Sequence, residues 1–571
     1  MPSALLSAKV KMKIFLAQQN YHIGNFEYNT EKIIAAIREA RDQGGDLVVF
    51  SELSVCGYPP RDFLYFDDFI EKAERAVKEI AGHAQGIAVL VGAPQRNPQP
   101  DGKDLFNAAF FLEEGQIKQV IQKTCLPTYD VFDEDRYFQP ASEWHVVPFK
   151  GKKLVVTICE DIWNLGNDPL YRTCPMDQLK VASPDMIINL SASPFDYTHD
   201  RDRKSVIKAN VLKYGVPLFY CNATGSQTEI VFDGGSMVFD KEGNMRGKLA
   251  DFKEELKGFV IEDNGYIDAS IVEKASAIPP ALSDPPALES SLNITQIYTA
   301  LVEGIRDYFS KMGFKQAILG SSGGIDSAVV CAIACEALGK ENVRAVLMPS
   351  GFSSAHSVED AVALSKNLGN PHQIIPIQKV FDSFLKQVSP YFEGRAFNVA
   401  EENAQSRIRC NILMSLANKF GYVLLNTSNK SELATGYGTL YGDMAGGISV
   451  LGDCYKMQVY ELARYINRNG EIIPSNIINK EPSAELRPGQ KDSDSLPEYS
   501  VLDSILYQYI ERSKSPADIK ALGFDAALVD RILRMVNMNE YKRNQFCPII
   551  RISPKSFGPG RRMPIVGRYL I

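Results

Sequence analysis

Ser321-Ser322-Gly323-Gly324-Ile325-Asp326-Ser327 stands between an apolar strand pattern, QAILG at 316–320, and a helical one, IDSAVVCAIACEALG at 325–339. Paired glycines let the backbone turn sharply and approach a ligand with no Cβ in the way. The free N–H groups of the loop and of the helix start then converge on one point, an anion nest suited to phosphate or pyrophosphate. The hydroxyls of Ser321, Ser322 and Ser327 add donors, and Asp326 adds a hard oxygen ligand for Mg²⁺. A strand, turn and helix in this order imply a parallel α/β sheet. The later strand patterns VRAVLMPS, QIIPI and YVLLNTS extend it. No G-x-x-x-x-G-K-[ST] occurs, so the loop is not the Walker type that grips phosphates with a lysine.

The chain of 571 residues is too long for one hydrophobic core, and two large domains are expected. The stretch 275–291, ASAIPPALSDPPALESS, is rich in proline, shows little periodicity and reads as a linker. The expected domains are therefore 1–274 and 292–571, with residues 1–10 a loose extension. In the first domain Lys13–Gln18 reads as a strand. Asn29 and Thr30 read as caps of the helix EKIIAAIREARDQ, which Gly44 and Gly45 end. Strand patterns recur in DLVVFS, IAVLVGA, NAAFFL, LVVTIC, MIINLS, PLFYCN and SMVFD. Several are apolar on both faces, as in sheets covered on both sides, which points to an α/β fold with stacked αββα layers. Helical patterning resumes after the linker at Asn293.

Apolar content of 45%, charged content of 23% and a net charge of -7 describe an ordinary soluble chain with no bulk attraction to nucleic acid or anionic membranes. No apolar run approaches the roughly 20 residues that span a bilayer. The first lysines follow the short apolar start, the reverse of a secretory signal, so a cytoplasmic location is expected. Ten scattered cysteines without a C-x-x-C pair argue for reduced thiols rather than a zinc site or a disulfide framework.

The SGGxDS loop resembles the pyrophosphate loop of the ATP pyrophosphatases, enzymes that adenylate a carbonyl oxygen and release pyrophosphate. A second block, Asn426-Thr427-Ser428-Asn429-Lys430-Ser431-Glu432 followed by TGYGTLYGD at 435–443, is similar to the NAD synthetase branch. The resemblance implies a doubly wound parallel sheet. It implies ATP contacts from Gly320, Ser321, Ser322, Gly323, Gly324, Ile325, Asp326, Ser327 and Thr427. It also implies deamido-NAD⁺ contacts from Arg407, Arg409, Glu432, Asp443, Lys456 and Lys542, with Mg²⁺ held by Asp326 and Glu432. Cations here would hold substrate phosphates and stabilise departing pyrophosphate. The polar segment 482–499, PSAELRPGQKDSDSLPEY, has the composition of a lid over bound nucleotide.

In the first domain Glu52, Lys123 and Cys159 each follow a strand pattern. With the blocks SELSVCGYPPRD, QKTCLPTYDVFDEDRYF and TICEDIW, this order resembles the nitrilase superfamily of carbon–nitrogen hydrolases, in its glutamine-using amidase branch. The resemblance spans most of residues 12–265. It assigns attack on the glutamine side-chain amide to Cys159, proton transfer to Glu52 and oxyanion stabilisation to Lys123. Glu134 matches a supporting glutamate that orients Lys123. Tyr129, Glu160 and Ser193 are the implied glutamine contacts. Many relatives carry Lys or Arg six residues after that serine; here the position is His199, and Arg201 or Arg203 are the alternatives for the glutamine carboxylate.

Both resemblances together indicate the glutamine-dependent NAD synthetases. The implied reaction uses ATP, glutamine, water and deamido-NAD⁺ and yields NAD⁺, AMP, diphosphate and glutamate. NAD⁺ is then a product and not a redox cofactor. Ammonium is not a nucleophile, so a closed path for ammonia between the sites is expected. The family commonly dimerises, which implies a homo-oligomer. Two rivals remain: another carboxylate or base as acceptor, and a regulatory module whose first half only senses glutamine. The TGYGTLYGD block weighs against the former, and the intact Glu52, Lys123 and Cys159 weigh against the latter.

Overall fold

The computed structural model describes residues 11–165, 169–268 and 294–569. The expected extension 1–10 and linker 275–291 lie outside the described residues. Contacts group the chain into two compact units, the first from residues up to 268 and the second from 294 onward, with Thr228–Ile230 grouped in the second.

The strands of the first half are β1 (Lys11–Gln18), β2 (Leu47–Val49), β3 (Ala88–Arg96), β4 (Leu105–Glu113), β5 (Gln116–Gln122), β6 (Val147–Phe149), β7 (Lys152–Ile158), β8 (Met186–Ser191), β9 (Leu218–Asn222), β10 (Thr224–Gln227), β11 (Ile230–Asp233), β12 (Met237–Phe239), β13 (Met245–Lys248), β14 (Glu255–Glu262) and β15 (Ile267–Asp268). One sheet has the order β15-β14-β1-β2-β3-β4-β5 and another the order β13-β12-β9-β8-β7-β6. Period-2 alternation sorts β1 between two cores. Met12, Ile14 and Leu16 pack with Leu154, Val156 and Ile158 of β7 and with Ile188 and Leu190 of β8. Phe15 and Ala17 pack instead with Ile33 and Ile37 of the helix Phe26–Asp42 and with Val77 and Ile80 of the helix Asp67–His83. On the far side Val155 and Ile187 meet Ile207 and Val211 of the helix His199–Tyr214. The layers therefore run helix, sheet, sheet, helix.

The cap expected at Asn29 and Thr30 is corrected by the structure. The helix starts at Phe26, and Asn25 is its cap, its side chain accepting from Tyr28 N at 3.3 Å. Asn29 and Thr30 are buried within the helix. Asn29 satisfies a neighbouring loop, accepting from His22 N and donating to His22 O and Val55 O.

In the second unit β16 (Ala317–Gly320), β17 (Val343–Leu347), β18 (His372–Ile374), β19 (Val423–Asn426) and β20 (Ile448–Ser449) form a sheet in the order β18-β17-β16-β19-β20, every pair parallel. The helix Val399–Phe420 covers one face through Leu413 and Ala417, which join Ile318, Val346 and Leu424. The helix Ile325–Leu338 packs on β16 and β17. The strand order reverses between β16 and β19, so the loops leaving their carboxyl ends diverge and open a crevice where α/β sheets bind ligands. Those two loops carry the glycine-rich turn and the block from Thr427 to Glu432. The helices Tyr499–Ile510, Pro516–Ala521 and Ala526–Met538 add a smaller core. Among the described residues no helix is long and apolar enough to cross a membrane.

Candidate active sites

Glu52 lies just beyond β2, Lys123 directly follows β5 and Cys159 directly follows β7. Gly92 makes room for the first of these: a Cβ there would stand 2.4 Å from Leu53 N and 2.9 Å from the Glu52 carbonyl carbon. Lys123 Nζ donates to Glu52 Oε1 at 2.6 Å and to both Glu134 oxygens at 2.8 Å. Ala192 N donates to Glu52 Oε2 at 3.1 Å, and Tyr58 OH to Glu134 Oε1 at 2.8 Å. Glu52, Lys123 and Glu134 are all buried, and Cys159 is 5% exposed.

Electrostatics fix the resting charges of this cluster. Burial alone would strip the Lys123 proton, but the facing Glu134 and Glu52 charges outweigh it and hold the proton firmly. Burial pushes Glu134 up to about 7, with the Glu52 charge adding to it against Lys123. Burial also pushes the Cys159 thiol well up, reinforced by Glu52 and opposed by Lys123. A thiol so placed stays protonated at rest and needs a base beside it. Cys159 sits at φ +43°, in the left-handed region a non-glycine residue adopts only under constraint. Asp161 supplies that constraint, accepting from Ile158 N at 3.0 Å, Thr124 N at 3.0 Å and Cys125 N at 2.8 Å. It ties the Cys159 turn to the segment leaving Lys123.

Beside the thiol, Tyr129 OH donates to the Glu160 carboxylate at 2.9 and 3.0 Å, and Tyr171 OH adds a bond at 3.2 Å. Ser193 Oγ lies 2.7 Å from His199 Nε2, and the imidazole stacks on Trp163 with ring centroids 5.0 Å apart. Of the two alternatives to His199, Arg203 is excluded by its surroundings. It is fully buried and held by Asp233 at 2.9 and 3.1 Å and by Gly234 O at 3.2 Å. Breaking such a pair costs about 3–5 kcal/mol. Arg201 is exposed and pairs with Asp202.

The second site is a cavity of about 490 Å³ in the crevice between β16 and β19. Gly320, Ser321, Ser322, Gly324, Ile325, Asp326, Ser327 and Thr427 line it. Gly323 does not; at φ +78° it is pressed on the helix Ala355–Leu368, where a Cβ would come within 2.1 Å of Ser357 O. Ser327 Oγ donates to Gly324 O at 3.0 Å and Gly324 N donates to Ser322 Oγ at 3.1 Å, so the loop is braced by its own hydroxyls. Lys456 Nζ pairs with Asp326 Oδ2 at 2.6 Å and lies 3.8 Å from Glu432 Oε1. Asn429 Nδ2 donates to Asp326 Oδ1 at 2.9 Å. Burial and then the Asp326 charge push Glu432 up to about 8 against the pull of Lys456.

Arg409, Glu432, Asp443, Lys456 and Lys542 also line the cavity, and Arg407 does not. The cavity-facing side of the helix Val399–Phe420 carries Val399, Glu402, Asn403, Ser406, Arg409, Cys410 and Leu413. Arg407 stands at the edge of that side, between Asn403 and Cys410; it is exposed and donates to Leu440 O at 3.2 Å. Burial lowers Arg409 to about 10 and also lowers Lys542. Asp443 accepts from Thr439 N at 2.7 Å and Ser406 Oγ at 2.9 Å. The segment Pro482–Leu486 lies along the cavity, where Glu485 accepts from Ser354 Oγ at 3.0 Å and Ser357 Oγ at 2.7 Å.

Sequence reasoning missed Tyr58, Asn107, Tyr171, Trp163 and Glu485. Tyr58, Trp163 and Glu485 fall inside the segments SELSVCGYPPRD, TICEDIW and PSAELRPGQKDSDSLPEY, and Asn107 is the one polar residue in the strand pattern NAAFFL.

Comparison with known proteins bears on the whole chain. The carbon-nitrogen hydrolase family pattern matches residues 13–261 and the NAD synthase family pattern residues 297–546. A Synechocystis sp. protein named glutamine-dependent NAD(+) synthetase is 44% identical over 97% of this chain and 98% of its own length. One of the same name from Thermotoga maritima is 43% identical over 98% and 99%. The solved glutamine-dependent NAD+ synthetase of Acinetobacter baumannii, in complex with ADP, is 37% identical with a TM-score of 0.75 over 98% of this chain and 99% of that one. A structure from Cytophaga hutchinsonii, 20% identical, shares the fold with a TM-score of 0.81 over 98% of both chains.

Proposed function

The chain belongs to the glutamine-dependent NAD(+) synthetase family, and we propose that its two sites divide the reaction, the first releasing ammonia from glutamine and the second amidating deamido-NAD⁺. ATP, deamido-NAD⁺, glutamine and water give AMP, diphosphate, NAD⁺ and glutamate. The observation that carries this reading is one chain holding both constellations. Glu52, Lys123 and Glu134 are buried beside a protonated thiol, and Asp326, Lys456 and Glu432 converge at a glycine-rich loop.

At the first site Glu52 accepts the Cys159 proton as the sulfur attacks the side-chain amide carbon of glutamine. Its bond to Glu52 and a shared bond to Glu134 occupy two of the three Lys123 N–H groups, and the third serves the oxyanion. Glu52 passes the proton to departing ammonia, then deprotonates the water that hydrolyses the thioester. Tyr129 and Glu160 bind the substrate amino group, and Ser193 with His199 its carboxylate.

At the second site the loop N–H groups and Ser322 and Ser327 cradle the ATP phosphates. Lys456, Arg409 and Lys542 balance substrate charge, and Asp443 contacts deamido-NAD⁺. Ammonia displaces AMP from the adenylated carboxylate. Mg²⁺ fits here: Asp326 and Glu432 both line the cavity beside the glycine-rich loop, and one or two carboxylates plus phosphates are its usual ligands. Bound there by Asp326 and Glu432, it would neutralise phosphate charge. Ten unpaired cysteines support a reducing, cytoplasmic setting. Membership of the family is the ground for expecting a homo-oligomer, at least a dimer.

Product analysis with glutamine labelled with ¹⁵N at its amide tests the reading. Labelled NAD⁺ together with AMP is expected; glutamate and ammonia without NAD⁺ would refute the assignment of the acceptor.

A further inference from the structure

Asn107 stands between the two carboxylates that flank Lys123 in the thiol site. It lies on β4, 1% exposed, and its main-chain carbonyl accepts from Lys123 N at 2.8 Å. Its Nδ2 donates to Glu52 Oε1 at 2.7 Å and to Glu134 Oε2 at 3.3 Å. Its Oδ1 is buried without a hydrogen-bond partner. A buried amide oxygen left unpaired costs about 1–3 kcal/mol, so the orientation is maintained against a penalty by what the nitrogen does. An oxygen turned toward two carboxylates would be repelled, whereas the amide nitrogen is a neutral donor that reaches both.

Two carboxylates share one ammonium here, and a single cation cannot neutralise both. We propose that Asn107 is a positioning residue for glutamine hydrolysis: its amide bridges Glu52 and Glu134 so that Lys123 stays centred between them and Glu52 stays aimed at the Cys159 thiol. The inference rests on the assignment of Cys159 as nucleophile. The charged and titratable groups around the bridge are Glu52 beyond β2, Lys123 beyond β5, Tyr58 and Glu134 from their loops, and Cys159 with Glu160 beyond β7. Without the bridge, the like charges of Glu52 and Glu134 meet through one fewer donor. The cluster then takes up a proton more readily, and Glu134, which burial already raises to about 7, is the group that receives it, loosening its hold on Lys123.

The test uses the full chain with Asn107→Leu, which keeps the volume and removes both donors, and Asn107→Ser, which offers one. The expected result is a fall in kcat for glutamine hydrolysis of about 100-fold for the leucine and less for the serine, the scale of loss from a misplaced reacting group. KM for glutamine should stay near its starting value, and the acid limb of the kcat profile should move to higher pH. Synthesis from free ammonia in the same preparations reports folding. The pH profile of Cys159 alkylation by iodoacetamide, followed on its peptide, gives a second reading that needs no turnover. Unchanged kcat and unchanged profiles in either folded variant would overturn the role of Asn107. Glutamine hydrolysis that survives Cys159→Ala would instead overturn the reading beneath it.

Discussion

The thiol site bonds its one ammonium to two carboxylates, whereas the nucleotide cavity holds Arg409 and Lys542 on neutral oxygens. Lys123 reaches Glu52 and Glu134 at 2.6 to 2.8 Å, and Lys456 of the cavity likewise pairs with Asp326 at 2.6 Å. Across the cavity, Arg409 donates to Met348 O and Ser350 Oγ, and Lys542 to Gly436 O and Gly438 O. The difference follows from where the reacting atoms come from. At the first site the nucleophile belongs to the protein and must be aimed before glutamine arrives. At the second both partners are substrates, so the chain supplies a nest, a stripe of cations and a pair of carboxylates.

Both sites rest on a buried aspartate that clamps a chain turn. Asp161 accepts three main-chain N–H bonds beneath Cys159. Asp503 accepts one, from Met457 N at 2.9 Å, together with the Ser431 hydroxyl, and so fixes the start of the helix carrying Lys456. Burial raises both, Asp161 to about 6 and Asp503, with fewer donors, to about 7.

The largest effect that sharpens this contrast is expected for Asp326→Ala. Synthesis should fall by on the order of 10²-fold or more with glutamine or ammonia alike, since a carboxylate proposed to hold Mg²⁺ at the phosphates is gone. Initial rates with each nitrogen source check it, and normal turnover with ammonia would break the assignment. Next, Arg409→Ala should raise KM for the nucleotide substrates by about 10-fold, the worth of a charge-assisted hydrogen bond, whereas Arg407→Ala should change it by less than about twofold. Equal effects would mean that the helix presents a different stripe to substrate.

The smallest effect is on stability. Asp503 is raised in the folded state, so between its unfolded value of about 4 and its folded value near 7 the native chain holds a proton that the unfolded chain has lost. Stability contributed there is present at low pH and falls as pH rises through that window. The stability deficit of Asp503→Asn relative to the natural chain should therefore shrink from pH 5 to pH 8, by on the order of 2 kcal/mol. Denaturant unfolding at both pH values measures it; a deficit that grows with pH would contradict the placement of the proton.

The parts legible in the sequence were those where backbone chemistry is local. The glycine pair and the residues closing apolar strands, Glu52, Lys123 and Cys159, mark loops at strand ends, where the fold gathers its reactive groups. What escaped depends on long-range partners. Asn29 reads as a cap by type, but its partners His22 and Val55 lie in a separate loop. Arg203 reads as an alternative partner for the glutamine carboxylate until Asp233, 30 residues on, closes over it. Arg407 and Arg409 differ only in helical phase, which appears once the neighbouring stripe is known. The closing strand β14 alternates buried and half-buried residues and pairs with β1 across the whole first unit, a contact that no local pattern announces.

The most direct test of the division of labour is Cys159→Ala supplied with ATP, Mg²⁺ and deamido-NAD⁺, and with either glutamine or ammonium as nitrogen source. The expected result is loss of glutamine-dependent NAD⁺ formation by at least about 10³-fold, with ammonia-dependent formation within about twofold of the natural chain, as for distant independent sites. Glutamine-dependent synthesis that persists, or loss of both activities in a folded variant, would contradict it.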